Sequence, residues 1–292
     1  MRGLCRVLAL LVVVLFVSSV AAGAEVLGAA RRPHGLLVVV TFPGLLDDVK
    51  MLACPGDRVV SLVPRGVDPH DYYLPPWGLR VLRAADVIVS LGHTPLELMI
   101  RRMWAEGLIG GVLVEVPRVP GVRLLRNPVT GSLDLHMPVY DPRNYAAFIE
   151  YLAHVLALRR PECRGYYLSE AGVLASEAMR LYWSAPRLSA RAVADSPALL
   201  YAVSWLGVRV VGLLRPGYGL PVTPAVIEDL AKSGVSLVVV TAPVESPAST
   251  WLRWFAEERG LPVLYVYSPT YPGSVIWKLR VLVDEAVGVA AG

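Results

Sequence analysis

The chain is 292 residues long, 31.6 kDa, 55% hydrophobic and only 18% charged, with a mean hydropathy of +0.52. That length fits one or two domains with a sizeable core, and the composition excludes a disordered tail or a collagen-like fibre. The net charge is +4, almost all of it arginine because lysine occurs only at Lys50, Lys232 and Lys278; with no basic run and no interleaved aromatics, nucleic-acid binding is not expected and the charge reads as a solvated surface.

A membrane-spanning chain needs apolar runs of about 18 residues or more, and only the N-terminus approaches one. There Arg2 and Arg6 precede the unbroken apolar stretch Val7 to Val17, and small residues follow up to an A-x-A pattern at Ala22 and Ala24. This is the layout of a secretory signal, so residues 1–24 are expected to direct export. The alternative is an uncleaved anchor, although the apolar core is short for a full span. Cys5 lies ahead of that core, the wrong place for a lipid-attachment cysteine. Cys54 and Cys163 remain, 109 positions apart. An exported protein can pair them, but spacing leaves a bridge and two separate thiols equally open, and no Cys-x-x-Cys supports a metal role.

In the mature chain, Leu36 to Thr41 is a β-branched run ending at Phe42-Pro43-Gly44 and predicts a buried strand. A helix follows over Leu45 to Ala53, then a strand over Val59 to Val63 stopped by Pro64-Arg65-Gly66. A polar, proline-bearing loop leads to a helix around Gly78 to Ala85 and the strand Val87 to Leu91. Two amphipathic segments come next, Asn144 to Leu158 and Gly165 to Trp183, separated by Arg160-Pro161. Roughly nineteen helical residues span about 28 Å, enough to bridge two lobes. The second half repeats the first: a helix over Leu199 to Leu206, a strand over Val208 to Leu214 ended by Arg215-Pro216-Gly217, a helix near Pro224 to Ser233, and a strand over Val235 to Thr241. Strands alternating with helices imply βαβ units and parallel sheets. The expected fold is therefore α/β, with two similar lobes joined by one long helix. The boundaries are 25–160 for the N-terminal lobe, 161–186 for the connecting helix and 187–292 for the C-terminal lobe.

The chemistry is sought in loops that follow strands, where ligands bind in open α/β sheets. Asp68-Pro69-His70-Asp71 is one such loop. Proline restricts the backbone before the imidazole, and Asp68 or Asp71 can orient a metal-bound histidine. Asp134-Leu135-His136-Met137-Pro138 is a second. His93, in Leu91-Gly92-His93-Thr94-Pro95, follows a strand and is expected to support the ligands or form the cleft wall. His154 sits in a helical pattern and reads as packed or exposed, and His34 carries no signal.

These pieces resemble the metal-binding solute receptors of zinc/manganese ABC importers, the cluster A-I binding proteins. The resemblance rests on Val39-Val-Thr-Phe-Pro43, Ser61-Leu-Val-Pro-Arg-Gly-Val-Asp-Pro-His-Asp-Tyr72, Ala85-Asp-Val-Ile-Val89 and His136-Met-Pro-Val-Tyr-Asp-Pro142, and it extends over nearly all the mature chain. It implies two α/β lobes around one long helix, with the metal held between them by His70 and His136. It also implies a histidine or glutamate, and an aspartate, from the C-terminal lobe. The chain departs from the pattern at both of these positions: Asp195 is the side chain available at the first, and Ser268 stands where aspartate is expected at the second. Glu245 is the nearest spare carboxylate. Two histidines and Asp195, completed by water or Glu245, make an N/O donor set that favours Zn2+, with Mn2+ as the alternative. A His-rich collecting loop is missing from Val119 to Leu135.

The resemblance implies an exported, monomeric, non-enzymatic carrier that delivers its ion to an ABC permease and its ATPase. One alternative is the same fold with a degenerate site for another ligand. Another is an exported zinc hydrolase, but no H-E-x-x-H, G-x-S-x-G or glycine-rich phosphate loop supports it.

Overall fold

The computed structural model describes residues 35–215, 217, 234–244 and 246–291. The export segment, the helix expected near Pro224 to Ser233, and Glu245 lie outside the described residues.

Eight strands form two separate four-stranded sheets. β1 (Leu37–Val40), β2 (Arg58–Ser61), β3 (Val87–Ser90) and β4 (Val112–Glu115) make the first, in the order β2-β1-β3-β4. β5 (Arg191–Ala194), β6 (Arg209–Leu213), β7 (Leu237–Ala242) and β8 (Val263–Tyr267) make the second, in the order β6-β5-β7-β8. Every pairing is parallel. Parallel sheets are covered on both faces, so their strands read as continuous apolar runs, as Val87–Ser90 does with all four residues buried. Alternate residues still serve different faces. Val38 and Val40 join a core that runs on into the second sheet. Val39 packs outward with Leu82, Ile88, Leu96 and Ile100.

Between strands lie α1 (Leu46–Leu52), α2 (Pro76–Ala84), α3 (Pro95–Ala105), α6 (Leu200–Ser204) and α7 (Pro247–Arg259), and α8 (Val275–Ala291) ends the chain. The two segments between the sheets are α4 (Pro142–Arg159) and α5 (Arg164–Ser184). At 21 residues, α5 would extend about 31 Å at 1.5 Å per residue. Tyr167, Ala171, Leu174, Ala178 and Leu181 form its buried side. Cys54 and Cys163 are joined in a disulfide. Asp57 fastens the same corner, accepting from Arg160 Nη1 at 2.7 Å and Tyr167 Oη at 2.6 Å. The region between α1 and β2 is thus tied to the turn between α4 and α5 by both a covalent and an ionic link.

The two sheets are also stitched together directly. The buried Asp48 of α1 accepts from Tyr145 Oη at 2.9 Å and from the backbone N–H of Val275 at 2.8 Å, satisfying an otherwise unpaired donor in the first turn of α8. Burial pushes its carboxyl up to about 6, while these hydrogen bonds and the charge of Lys278 pull the other way. Tyr140 Oη donates to Tyr267 O at 2.9 Å, and Trp205 Nε1 donates to Tyr140 O at 3.1 Å. No helix among the described residues is long and apolar enough to cross a membrane.

Candidate metal centre

A cavity of about 320 Å³ lies where the carboxyl ends of the two sheets meet, and both contribute to its walls. This is the expected place for a ligand in parallel α/β architecture. The loops after β2, β3 and β4 bring in His70, His93 and His136; those after β5, β6 and β8 bring in Ser196, Arg215, Ser268 and Thr270.

The three imidazoles are grouped. Their ring centroids are 4.6 Å apart for His93 and His136, 5.3 Å for His70 and His93, and 5.8 Å for His70 and His136. One ring nitrogen from each lies within 4.8 Å of the other two. A zinc ion with Zn–N bonds of 2.0–2.1 Å needs tetrahedral nitrogens about 3.3 Å apart, so a modest inward movement completes the set.

Each histidine has an acid beside it, and two use the same local device. In Asp68-Pro69-His70, Asp68 Oδ1 lies 2.9 Å from the backbone nitrogen of His70 and 2.8 Å from its Nδ1. In Asp134-Leu135-His136, Asp134 Oδ1 lies 3.1 Å from the backbone nitrogen and 2.6 Å from Nδ1. A carboxylate on Nδ1 makes that nitrogen the donor and leaves Nε2 as the ligand atom. Hydrogen bonding to His70 holds the Asp68 carboxyl below its usual range. Asp134 is buried, and its Oδ2 has no hydrogen-bond partner. The backbone between His136 and Pro138 is strained: Met137 adopts φ 49° and ψ 54°, a left-handed conformation unusual outside glycine. Tyr201 Oη secures the stretch before it, donating to Asp134 O at 2.5 Å and accepting from Leu125 N at 2.9 Å.

His93 is held differently. Thr94 and Glu97 form a capping box at the start of α3. The Glu97 carboxylate also accepts from Thr41 Oγ1 at 2.6 Å, Leu91 N at 2.8 Å and His93 N at 3.0 Å. The preceding Gly92 has φ +72°, and a Cβ there would come within 2.7 Å of the Arg101 guanidinium, so only glycine suits this turn. Neither ring nitrogen of His93 has a hydrogen-bond partner although both are buried, and Glu97 Oε2 stands 3.5 Å from Nδ1. Buried polar atoms are nearly always paired, so an unpaired imidazole aimed at two others points to a ligand. Burial pushes His93 down to about 4 against the pull of Glu97, with His136 and His70 adding to the depression. The ring is therefore neutral, the form that binds metals. Burial acts to raise Glu97, but the hydrogen bonds from Thr41, Thr94 and the backbone of His93 hold it below its usual range.

The structure brings His70 and His136 together and places the ring of His93 beside both. Asp195 is placed elsewhere. It is fully buried and lies outside the group of ligand atoms. Its Oδ2 accepts from Thr241 N at 2.9 Å and Ser249 Oγ at 2.6 Å, and its Oδ1 from Thr241 Oγ1 at 2.8 Å. That carboxylate braces the ends of β5 and β7 against the first turn of α7. Ser268 lines the cavity and is paired with Thr270, Oγ to Oγ1 at 2.9 Å. His154 is exposed on α4 and bonds its own helix at Glu150 O. Two signals were open to the sequence and went unused: the repeated Asp-x-His spacing, and the Thr94-x-x-Glu97 box that fixes His93.

Known proteins share the fold. A manganese-binding lipoprotein, MntA of Halalkalibacterium halodurans, is 28% identical over 171 residues, covering 59% of this chain and 55% of that protein, so the match spans about half the length of that relative. The solute-binding protein FpvC of Pseudomonas aeruginosa, solved with Mn2+, has the same fold with a TM-score of 0.71 at 18% identity over 88% of this chain and all of that one. A Cd-bound periplasmic metal-binding protein of Candidatus Liberibacter asiaticus aligns with a TM-score of 0.66 at 16% identity, over 87% of this chain and 98% of that one. The family model of the periplasmic zinc-uptake complex component A, ZnuA, matches residues 38–274. With most of its length covered by that model, the chain belongs to the ZnuA family of metal-binding solute receptors.

Proposed function

We propose that this protein is the exported solute-binding component of an ABC importer, which captures a divalent transition metal with His70, His93 and His136 and delivers it to a permease and its ATPase. The observation that carries this reading is the convergence of three imidazoles within 4.8 Å, two of them with Nδ1 occupied by an acid and the third unpaired in a buried setting. In this reading residues 25–160 and 187–292 act as two lobes about the connector 161–186, and the protein works as a monomer outside the cytoplasm without catalysing a reaction.

The relatives' names mention manganese, cadmium and zinc, so the donor atoms guide the choice of metal. Three imidazole donors favour zinc, since manganese prefers a site richer in oxygen. Neither Asp195 nor Glu245 is needed to assemble this set. Calorimetric titration of chelator-stripped protein tests the reading. Submicromolar zinc binding, weaker manganese binding, and loss of both in His70→Ala and His136→Ala are expected. No binding of any divalent ion to the folded protein overturns it.

A further inference from the structure

All three imidazoles come from one sheet's loops, so an ion bound there leaves at least one coordination position facing the cavity. The facing wall offers Ser196, Ser268, Thr270 and the guanidinium of Arg215, and no carboxylate among the described residues that line it. The acids of the site stand on the histidine side: Asp68 lines the cavity with its Oδ1 on His70, while Asp134 and Glu97 are buried in the other two histidine loops. A dication and a guanidinium would therefore look at each other across a cavity of about 320 Å³, room for roughly ten waters at about 30 Å³ each.

An anion resolves that juxtaposition. One of its oxygens fills the open position on the metal. The others accept from the planar donor fork of Arg215, which suits carboxylate and phosphate, and from the hydroxyls of Ser268 and Thr270. We infer that the cargo is a pair, a divalent ion with a small carboxylate or phosphate anion, held between the three histidines and Arg215. The inference rests on the metal-binding reading above. It gives Ser268 a meaning, because the carboxylate that the resemblance places at that position is then supplied from solution. It also gives the second lobe a way to sense the cargo, through the anion that Arg215 holds. Arg215 has a competing neighbour in Asp68, whose carboxyl it helps hold down, so the test includes a variant that does not touch this contact.

The experiment titrates chelator-stripped protein with zinc at matched free-ion concentration. The solution is a non-coordinating buffer alone, then with malate, then with inorganic phosphate. Native mass spectrometry is run on each mixture. At least one anion is expected to tighten zinc binding tenfold or more and to appear as a protein–zinc–anion mass. Arg215→Ala should remove both effects, and Ser268→Asp, which adds an internal carboxylate, should remove the dependence on added anion. The malate and phosphate arms distinguish the two sources. Equal zinc affinity in every solution, with only a protein–zinc mass, overturns the inference and leaves metal binding standing. Absence of zinc binding in every solution overturns both.

Discussion

The two walls of the cavity are built from matching loops of matching sheets, yet their chemistry differs. On the first sheet each of three strand ends carries a histidine backed by an acid. On the second, the acid at the corresponding place turns inward: Asp195 is spent on Thr241 and Ser249, and the polar side chains that the described residues offer the cavity are hydroxyls and Arg215. A parallel sheet fixes where a loop will stand but not what it offers. In the proposed reading the first lobe supplies the ligands, and the second is left to recognise whatever completes the ion.

The sharpest way to break this contrast is to remove His93, which the sequence pattern placed in support of the ligands or in the cleft wall. His93→Ala should weaken zinc binding by more than the roughly 10–100-fold typical of losing an outer-sphere partner, and should match His136→Ala in titration calorimetry. A near-normal affinity would return His93 to the cleft wall.

Next in size is the acid behind His136. Asp134→Asn keeps the shape but removes the negative charge on Nδ1, and should cost roughly 10–100-fold in zinc affinity. Asp68→Asn should cost less, because Asp68 is half exposed where Asp134 is almost wholly buried. An equal loss from both would mean that solvent access does not grade these partners.

For the second lobe the expected loss is of stability rather than affinity. Asp195→Asn places an amide donor where a carboxylate now accepts from Thr241 and Ser249. The cost of leaving buried donors unsatisfied is about 1–3 kcal/mol, read as a lower denaturation midpoint with zinc affinity kept within a few-fold. If zinc affinity fell as far as in His93→Ala, Asp195 would be a ligand and the contrast between the walls would collapse.

What could be read in advance follows the same divide. Apolar β-branched runs such as Leu36 to Val40 and Val87 to Leu91 announced buried parallel strands, and histidines in two proline-bearing loops pointed to a site. β5 was missed because Arg-Ala-Val-Ala is short and alanine-rich; it is a strand only because β6 and β7 pair with it on either side. Val112–Glu115 is equally short and is recruited by its pairing with β3. The disulfide joins segments 109 residues apart, and no local pattern encodes such a meeting. The role of His93 depended on an absence, the lack of any partner for its ring nitrogens, which only the folded surroundings can reveal.

The smallest expected effect concerns which metal is preferred. Ser268 stands at the cavity edge on the loop after β8, its hydroxyl paired with that of Thr270. Ser268→Asp would put an anionic oxygen on a wall whose described residues offer none, moving the donor set from all-nitrogen toward mixed nitrogen and oxygen. Manganese gains more from added oxygen ligands than zinc does. The ratio of zinc to manganese affinity should therefore narrow, by roughly tenfold or about 1.4 kcal/mol, in parallel titrations of the variant and the native protein. Tighter binding of both metals without a change in their ratio would show that the new carboxylate acts through charge alone. An unchanged profile would place residue 268 beyond reach of the ion, and the second lobe's part in metal choice would then rest on Arg215 and the anion it holds.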